Sequence, residues 1–150
     1  MGCYTWAVPY APETLHAVGN HSSRSNGGAH LDQTIDEVRT AGEPVSIIVE
    51  TLHKTLPASG MDITLVTATI VDSDGARCPT TDKTVTFDVE SSASKEGKAP
   101  TLYGLYGEPK VTTYRGRGRI VPRAGRVTGK VRIRTHADEL ESGETVMKVR

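Results

Sequence analysis

Strict alternation of apolar and polar residues constrains this chain more than any other feature of its sequence. In "TVTFDVE", residues 84–90, Val85, Phe87 and Val89 occupy every second position, and threonine or acidic residues lie between them. Because successive side chains of a β-strand point to opposite faces of the sheet, this spacing predicts a strand with one buried face. The sequence therefore favours half-buried strands over helices.

Similar patterns recur from residue 43 to the end of the chain. Val66, Ala68 and Ile70 are predicted to be buried in the segment at 62–72, and Val131 and Ile133 in the segment at 129–135. About seven short strands in roughly 105 residues, separated by turns, are typical of an immunoglobulin-like β-sandwich. The further strands are predicted in VSIIVET (45–51), DITLVTATIVD (62–72), TLYGLYG (101–107), VTTYRG (111–116), GKVRIRT (129–135) and ETVMKV (144–149).

Glycine-containing dipeptides predict the turns between these strands. Asp74-Gly75 supplies the positive backbone angles of a tight turn, and Pro79 prevents a β-ladder from continuing, so a hairpin-like reversal is expected there. Ser142-Gly143 predicts the turn before the last strand.

The first 42 residues have a different pattern. Three short strands are predicted in YTWAV (4–8), TLHAVG (14–19) and TIDEVRT (34–40), with a polar, glycine-rich loop, NHSSRSNGGAH, at 20–30. Three strands enclose little core by themselves. We therefore interpret residues 1–42 as the closing strands of a truncated upstream β-sandwich, and residues 43–150 as a complete sandwich domain.

The overall composition excludes several kinds of site. Lys and Arg number 18 and so do Asp and Glu, which gives no net attraction to phosphate. Cys3 and Cys78 are interpreted as free thiols, and the five histidines lie at no metal-binding spacing. No run approaches the roughly 20 apolar residues of a membrane span. The Asn20–Ser22 sequon matters only on a eukaryotic secretory route. We expect no metal, cofactor or membrane partner.

Positive charge is nevertheless concentrated in one stretch. Residues 110–134 contain nine Lys or Arg residues and no Asp or Glu. On a strand, Arg115, Arg117 and Arg119 would share one face, and the intervening glycines would let a neighbouring surface approach the other. We favour a solvated or interdomain strand face over nucleic-acid binding, because RNA-binding segments of this kind are longer and interleaved with aromatic residues.

Arg115, Arg117 and Arg119 are expected to pair with acidic residues such as Asp88 and Glu90, or with a neighbouring domain.

Two further groups of residues have a plain structural interpretation beside a functional one. The remaining candidates are a calcium site, for which a plain turn is favoured because the spacing matches no calcium motif, and a pair of sugar-stacking tyrosines, for which a place at the core edge is favoured. They are Asp72, Asp74 and Asp82, and Tyr103 and Tyr106, respectively.

Several ordered motifs resemble the C-terminal region of glycoside hydrolase family 2 enzymes, the β-galactosidase group. VPYAPETLHAVG (8–19) and DEVRTAGEPVSI (36–47) resemble the junction between two sandwich domains, and residues 62–90 resemble the next stretch of the accessory domain. GLYGEP (104–109) stands where the family has a G-x-x-N-G-x-P turn, with Tyr106 and Gly107 in place of Asn and Gly. Residues 113–149 resemble the last strands.

The resemblance implies an accessory role without catalysis. The two catalytic carboxylates of this family lie on a (β/α)8 barrel that precedes these domains, and no barrel fits in 150 residues. We therefore assign no catalytic, cofactor-binding or metal-binding residue. The resemblance implies a parent enzyme that hydrolyses β-galactosides or related glycosides, with its upstream domains, oligomer contacts and carbohydrate as the partners of this region.

A free-standing bacterial immunoglobulin-like module, for adhesion or carbohydrate binding, is the alternative hypothesis. It predicts a complete first domain or tandem repeats, together with an exposed aromatic platform. The chain contains no internal repeat.

Overall fold

The computed structural model describes residues 5, 7–9, 13–25, 28–91, 102–103 and 109–150. Contacts within the chain divide it into two compact units, Met1–Thr40 and Ala41–Arg150. Every regular element among the described residues is a β-strand. The prediction of an all-β protein is confirmed.

The first unit contains one long antiparallel hairpin. Strand β1 (Thr14–Ser25) pairs with β2 (Gly28–Arg39) over the whole length of both strands. The loop predicted at 20–30 is therefore wrong, because most of it continues the two strands; a backbone ladder forms without core-forming side chains. The strand predicted at 4–8 is not observed either: Thr5, Ala7 and Val8 are in no strand, and Tyr4 and Trp6 lie outside the described residues.

The second unit contains a five-stranded sheet. Strands β6 (Thr84–Ser91), β11 (Gly129–His136) and β12 (Gly143–Val149) form its antiparallel centre, with β11 in the middle. Strand β8 (Lys110–Thr112) pairs antiparallel with β6 at one edge, and β4 (Thr55–Leu56) pairs parallel with β12 at the other.

A three-stranded antiparallel sheet forms the second layer of this unit. Its order is β3 (Ser46–Thr51), β5 (Val66–Val71) and β9 (Arg117–Ile120). Two further two-residue strands, β7 (Leu102–Tyr103) and β10 (Arg123–Ala124), pair with each other. Strand β3 lies in the three-stranded sheet and β4 in the five-stranded sheet, and the last strand, β12, lies between β4 and β11. This is the strand order of an immunoglobulin-like sandwich.

The inward faces of the two sheets form the core. As predicted, Val66, Ala68 and Ile70 of β5 and Val131 and Ile133 of β11 are fully buried. Burial of each large apolar side chain stabilises the fold by roughly 1.5–3 kcal/mol. The core cluster consists of Ile47, Val49, Leu56, Val66, Ala68, Val85, Phe87, Ile120, Ala124, Val131, Ile133, Met147 and Val149.

One residue that was predicted to be buried is exposed. Val85 and Phe87 of β6 are buried, but Val89, two positions further along, is 40% exposed although it pairs with the buried Ile133. The neighbouring strand β8 pairs with β6 only as far as Thr86. Val89 has no ladder partner in β8, and alternation alone does not reveal its exposure.

The two predicted turns have different outcomes. The reversal at Asp74-Gly75 is confirmed, with Gly75 at φ 80° and Val71 paired with Arg77. The turn predicted at Ser142-Gly143 is wrong, because the chain reverses earlier, at Glu139 with φ 64°. Gly143 instead begins β12, where an added Cβ would clash with the carbonyl oxygen of Ile47 in β3. This glycine thus permits close approach of the two sheets.

Candidate functional site

The basic stretch that dominates the sequence is divided between the two sheets. Arg117 and Arg119 lie on the outward side of β9, whereas Arg132 and Arg134 lie on the outward side of β11. Their neighbours along each strand point inward and are buried. We call these two surfaces the β9 face and the β11 face. Because the sheets pack against each other through their inward sides, the two arginine pairs belong to different surfaces of the sandwich.

Carboxylates on the adjacent strands neutralise the β11 face. Glu144 of β12 lies 3.2 Å from Arg132 Nε and accepts a 2.8 Å hydrogen bond from Arg134 Nε. Arg134 also lies 3.9 Å from Glu90 of β6, and His136 Nδ1 lies 3.1 Å from a carboxylate oxygen of β6. These are cross-strand pairs between directly hydrogen-bonded strands.

The expected pairing of Asp88 and Glu90 with Arg115, Arg117 or Arg119 is therefore wrong. Both carboxylates lie on β6 and face β11 side chains, His136 and Arg134 respectively. Strand β6 belongs to the five-stranded sheet and β9 to the three-stranded sheet. The sheet assignment, which sequence spacing does not give, decides which charges meet.

The hydrogen bond between Arg134 and Glu144 also affects ionisation. It lowers the pKa of Glu144 and raises the pKa of Arg134. In the same way, the Lys83 ammonium group, 2.9 Å from Glu139, lowers the pKa of that carboxyl group. All of these groups are exposed to solvent, so the pairs contribute little to stability and are screened by salt.

A tight turn leads into the β9 face. Tyr114 and Arg117 exchange two backbone hydrogen bonds, of 2.8 and 3.1 Å, around Arg115 and Gly116. Both central residues have positive φ, 51° and 72°, as in a type I′ turn. The prediction that Arg115 shares a strand face with Arg117 and Arg119 is therefore wrong, because Arg115 occupies the tip of a turn.

Gly116 fixes this turn against the body of the sandwich. An added Cβ would clash with the carbonyl oxygen of Cys78, and the Gly116 carbonyl accepts a 2.9 Å hydrogen bond from the Ile70 N–H. Only glycine combines this close approach with a left-handed backbone at little cost. The turn is thus anchored to β5 and to the segment that follows it.

A shallow groove of about 350 Å³ runs beside the turn and the β9 face. Tyr114 is 71% exposed, and the Arg115 guanidinium lies over its ring, 5.6 Å from the centroid. Among the described residues, none of the arginines that line the groove forms an ion pair. We call this site the arginine groove; its lining consists of Arg77, Val111, Tyr114, Arg115, Arg117, Gly118 and Arg119.

The acidic turn is stabilised by a single buried carboxylate. Asp72 is 4% exposed and accepts backbone N–H hydrogen bonds from Gly42, Asp74 and Ala76, at 2.8 to 3.0 Å. Asp82, the third residue of the calcium hypothesis, is exposed. The carboxylate of Asp72 therefore acts as a turn cap that replaces missing backbone acceptors.

Cys78 is a buried free thiol beside this turn. Burial raises its pKa, and the nearby Asp72 and Glu43 carboxylates raise it further. A thiol whose pKa is raised is a weak nucleophile at neutral pH. Cys3 lies outside the described residues.

The hairpin of the first unit exposes apolar residues on both of its sides. Leu15 pairs with Val38 on one side, and Val18 pairs with Ile35 on the other. All four side chains are between 48% and 65% exposed. A second groove, of about 330 Å³, is lined in part by Leu15, Val38 and Val8. An apolar two-sided ribbon is unusual for a surface that faces only water.

The remaining candidates contribute no assembled site to the described parts of the chain. No group of three or more His, Cys, Asp or Glu side chains there is placed to hold a metal ion. No helix long and apolar enough to cross a membrane occurs in those parts. Asn20 of the sequon is exposed in β1, Tyr103 lies in β7, and Tyr106 is outside the described residues.

Sequence reasoning missed two components of the arginine groove. Tyr114 was noted only as an aromatic neighbour of the arginines, and Arg77 was not considered at all. Arg77 reaches the groove because the bridge between Val71 and Arg77 places it beside β5, far from β9 in sequence. No local motif indicates such a neighbour.

Comparison with known proteins identifies the family to which this architecture belongs. Residues 47–146 match the model of the family described as glycoside hydrolase family 2 C-terminal domain 5. A search of the curated proteins finds no match.

Solved structures with the same fold include the following three. A member of glycoside hydrolase family 2 from Bacteroides cellulosilyticus aligns over 95% of this chain and 18% of its own, with a TM-score of 0.71 and 22% identity. A β-glucuronidase from glycoside hydrolase family 2 aligns over 95% and 15%, with a TM-score of 0.68 and 19% identity. The adhesin InvE of Yersinia pseudotuberculosis aligns over 91% and 40%, with a TM-score of 0.55 and 14% identity.

At these identities the structural matches establish a shared fold and nothing more. The chain spans less than a fifth of the length of the two glycoside hydrolase family 2 structures. The family model covers 100 of the 150 residues (47–146). The chain therefore belongs to glycoside hydrolase family 2, and residues 47–146 are its C-terminal domain 5.

Proposed function

We propose that this chain is a non-catalytic accessory region of a glycoside hydrolase family 2 enzyme. The observation that carries the proposal is the match of residues 47–146 to a C-terminal domain of that family. The parent enzyme would hydrolyse β-galactosides or related glycosides. Glucuronides are included among these, because one structure with the same fold is a β-glucuronidase.

The accessory region has two parts with different tasks in this proposal. The sandwich of residues 43–150 encloses its own core, as the thirteen buried residues of the core cluster indicate. The hairpin within residues 1–42 does not, since Leu15 and Val38 are exposed on one side and Val18 and Ile35 on the other. We infer that the hairpin supplies the closing strands of a preceding sandwich and thereby supports the position of the catalytic barrel.

Hydrogen exchange tests the division between the two parts. Amides of β1 and β2 should exchange much faster than those of β5, β6 and β11 in the 150-residue chain, because a two-stranded ribbon is marginally stable in water. Extending the chain with its natural upstream sequence should slow exchange in the hairpin and leave the sandwich unchanged. Equal protection of both parts in the 150-residue chain would contradict the assignment of residues 1–42.

The coding sequence upstream of Met1 tests the function itself. The proposal requires a (β/α)8 barrel with two catalytic carboxylates in that sequence, since hydrolysis of a glycoside needs such a pair. Tandem sandwich domains in place of a barrel would contradict it. That result would favour the alternative, a free-standing adhesion or carbohydrate-binding module.

A further inference from the structure

We propose that the arginine groove binds an acidic polysaccharide, that is, a chain of sugars that carry carboxylate groups. This inference rests on the proposed role in a glycosidase, because it assigns a ligand class to the accessory region of such an enzyme. It concerns the groove beside β9 and not the barrel. All of its described lining residues belong to the second unit.

The charge of the groove is the first argument. Four arginines, Arg77, Arg115, Arg117 and Arg119, are among the seven described residues that line it, and none of these seven is acidic. Within the described parts of the chain these guanidinium groups have no carboxylate partner. A guanidinium group presents a planar fork of N–H donors that fits a carboxylate in a bidentate manner. Arginines that line a concave surface without a carboxylate partner among the described residues therefore favour carboxylate ligands.

The spacing of the charges is the second argument. Arg117 and Arg119 lie two positions apart on β9, so their Cα atoms are about 6.7 Å apart along an extended strand. Arg115 lies at the tip of the turn before β9, and Arg77 lies in the segment after β5. A ligand with several carboxylates along a linear chain meets such a row of charges better than a single small anion does.

The exposed ring of Tyr114 is the third argument. Its 71% exposure leaves apolar ring surface together with a hydroxyl group at the edge of the groove. Sugar rings likewise combine apolar C–H faces with hydroxyl groups, and amphipathic aromatic side chains are suited to such contacts. The Arg115 guanidinium, 5.6 Å from the ring centroid, helps to hold the ring in place.

The groove is also built on a rigid support. Gly116 is held against the Cys78 carbonyl and the Ile70 N–H, and Gly118 is close to Val111 of β8 and to Thr113, which follows β8. The backbone that carries the arginines is therefore ordered before any ligand binds. Preorganisation lowers the entropic cost of association.

The same observations disfavour two other partners. Nucleic-acid binding surfaces for single strands use several aromatic side chains for stacking, whereas the described lining of the groove contains one, Tyr114. Protein interfaces have an apolar, largely uncharged centre, whereas the described lining residues of this groove include a single aliphatic side chain, Val111. A carboxylated glycan fits both features.

The test uses the complete 150-residue chain and oligogalacturonate as the probe. Titration of the ¹⁵N-labelled protein should shift the amide signals of Arg77 and of residues 111–119. Exchanging Arg117 and Arg119 together for Gln should weaken binding by about tenfold or more, because hydrogen bonds to charged groups are lost. The matched control, Arg132→Gln with Arg134→Gln, removes the same charge from the β11 face and should change the affinity less than about twofold.

Fully methyl-esterified oligogalacturonate keeps the sugar backbone and removes the carboxylates, so it should not bind. Equal binding of the esterified probe would overturn the proposal, as would equal loss of affinity in both double variants. Tighter binding of single-stranded DNA at the same residues would also overturn it, in favour of a nucleic-acid site. Absence of binding to oligogalacturonate would overturn it too.

These results are separable from the proposed function. An upstream barrel can exist whether or not the groove binds a glycan, so failure of the titration leaves the accessory role intact. Conversely, a chain that binds oligogalacturonate without an upstream barrel would keep the ligand assignment and reject the glycosidase.

Discussion

The β9 face and the β11 face contain the same kind of residue in opposite electrostatic settings. On β11, Arg132 and Arg134 share the Glu144 carboxylate within 3.2 Å. On β9, Arg117 and Arg119 form no ion pair with any described residue and line an open groove. The two pairs come from one basic stretch of the sequence. Their difference arises entirely from the strands that lie beside them.

This difference shows that the position of a strand within its sheet determines which charges lie beside it. Strand β11 lies in the centre of its sheet, between β6 and β12, which supply Glu90 and Glu144. Strand β9 lies at the edge of its sheet, beside β5, whose outward residues there are Thr67 and Thr69. On β11 the arginines are paired with carboxylates of the same domain, whereas on β9 they line a groove that is open to a partner.

The largest expected effect comes from the turn that supports the β9 face. Exchanging Gly116 for Ala should lower the free energy of unfolding by about 2–4 kcal/mol, because the added Cβ meets the Cys78 carbonyl and the left-handed backbone is strained. Denaturant unfolding measures this loss. The effect should extend to the groove, with shifted amide signals in Arg115 and Arg117, and leave the β11 face unchanged.

Gly75 provides the matched control for this substitution. It also has a left-handed backbone, φ 80°, but no atom lies within contact distance of an added Cβ. Gly75→Ala should therefore cost only about 1 kcal/mol, the strain of the backbone alone. Equal losses for the two variants would show that the close contact at Gly116 has no energetic role.

Alternation in the sequence predicted most of the sandwich but not the surroundings of its charges. Val66, Val131 and Ile133 were identified as core residues because a period of two determines which side a residue faces. The exposure of Val89 was missed, since alternation does not give the tertiary surroundings of each position along a strand. Likewise, the pairing of Arg134 and the proximity of Arg77 to the groove depend on contacts between segments that are distant in sequence.

The next prediction compares the stability contributions of the two faces. Replacing Arg132 and Arg134 by Gln should lower the midpoint of thermal unfolding slightly, because both pairs with Glu144 are lost. Replacing Arg117 and Arg119 by Gln should leave the midpoint unchanged or raise it, because that change relieves repulsion between two cations that have no carboxylate partner in the described parts of the chain. The difference should shrink at high salt. A larger loss from the β9 variant would contradict the comparison.

The smallest effect is expected in the pH dependence of stability. The folded protein holds the pKa of Glu144 below its usual value of 4.5, chiefly through the Arg134 hydrogen bond. The carboxylate therefore stabilises the fold above pH 4.5, and this contribution disappears as the pH falls through the lowered pKa. The stability difference between the wild type and Glu144→Gln should follow this course, and it should be weaker in an Arg134→Gln background. A difference that grows towards low pH would be inconsistent with the pair.

The most direct test of the central claim is the exchange of the arginine Nε–H protons with water, measured by NMR in the 150-residue chain. A guanidinium group that donates to a carboxylate protects this proton, whereas a solvated one does not. We expect slower exchange for Arg134, whose Nε–H donates a 2.8 Å hydrogen bond to Glu144, than for Arg117 and Arg119. Equal rates on the two faces, or slower exchange on the β9 face, would contradict the account.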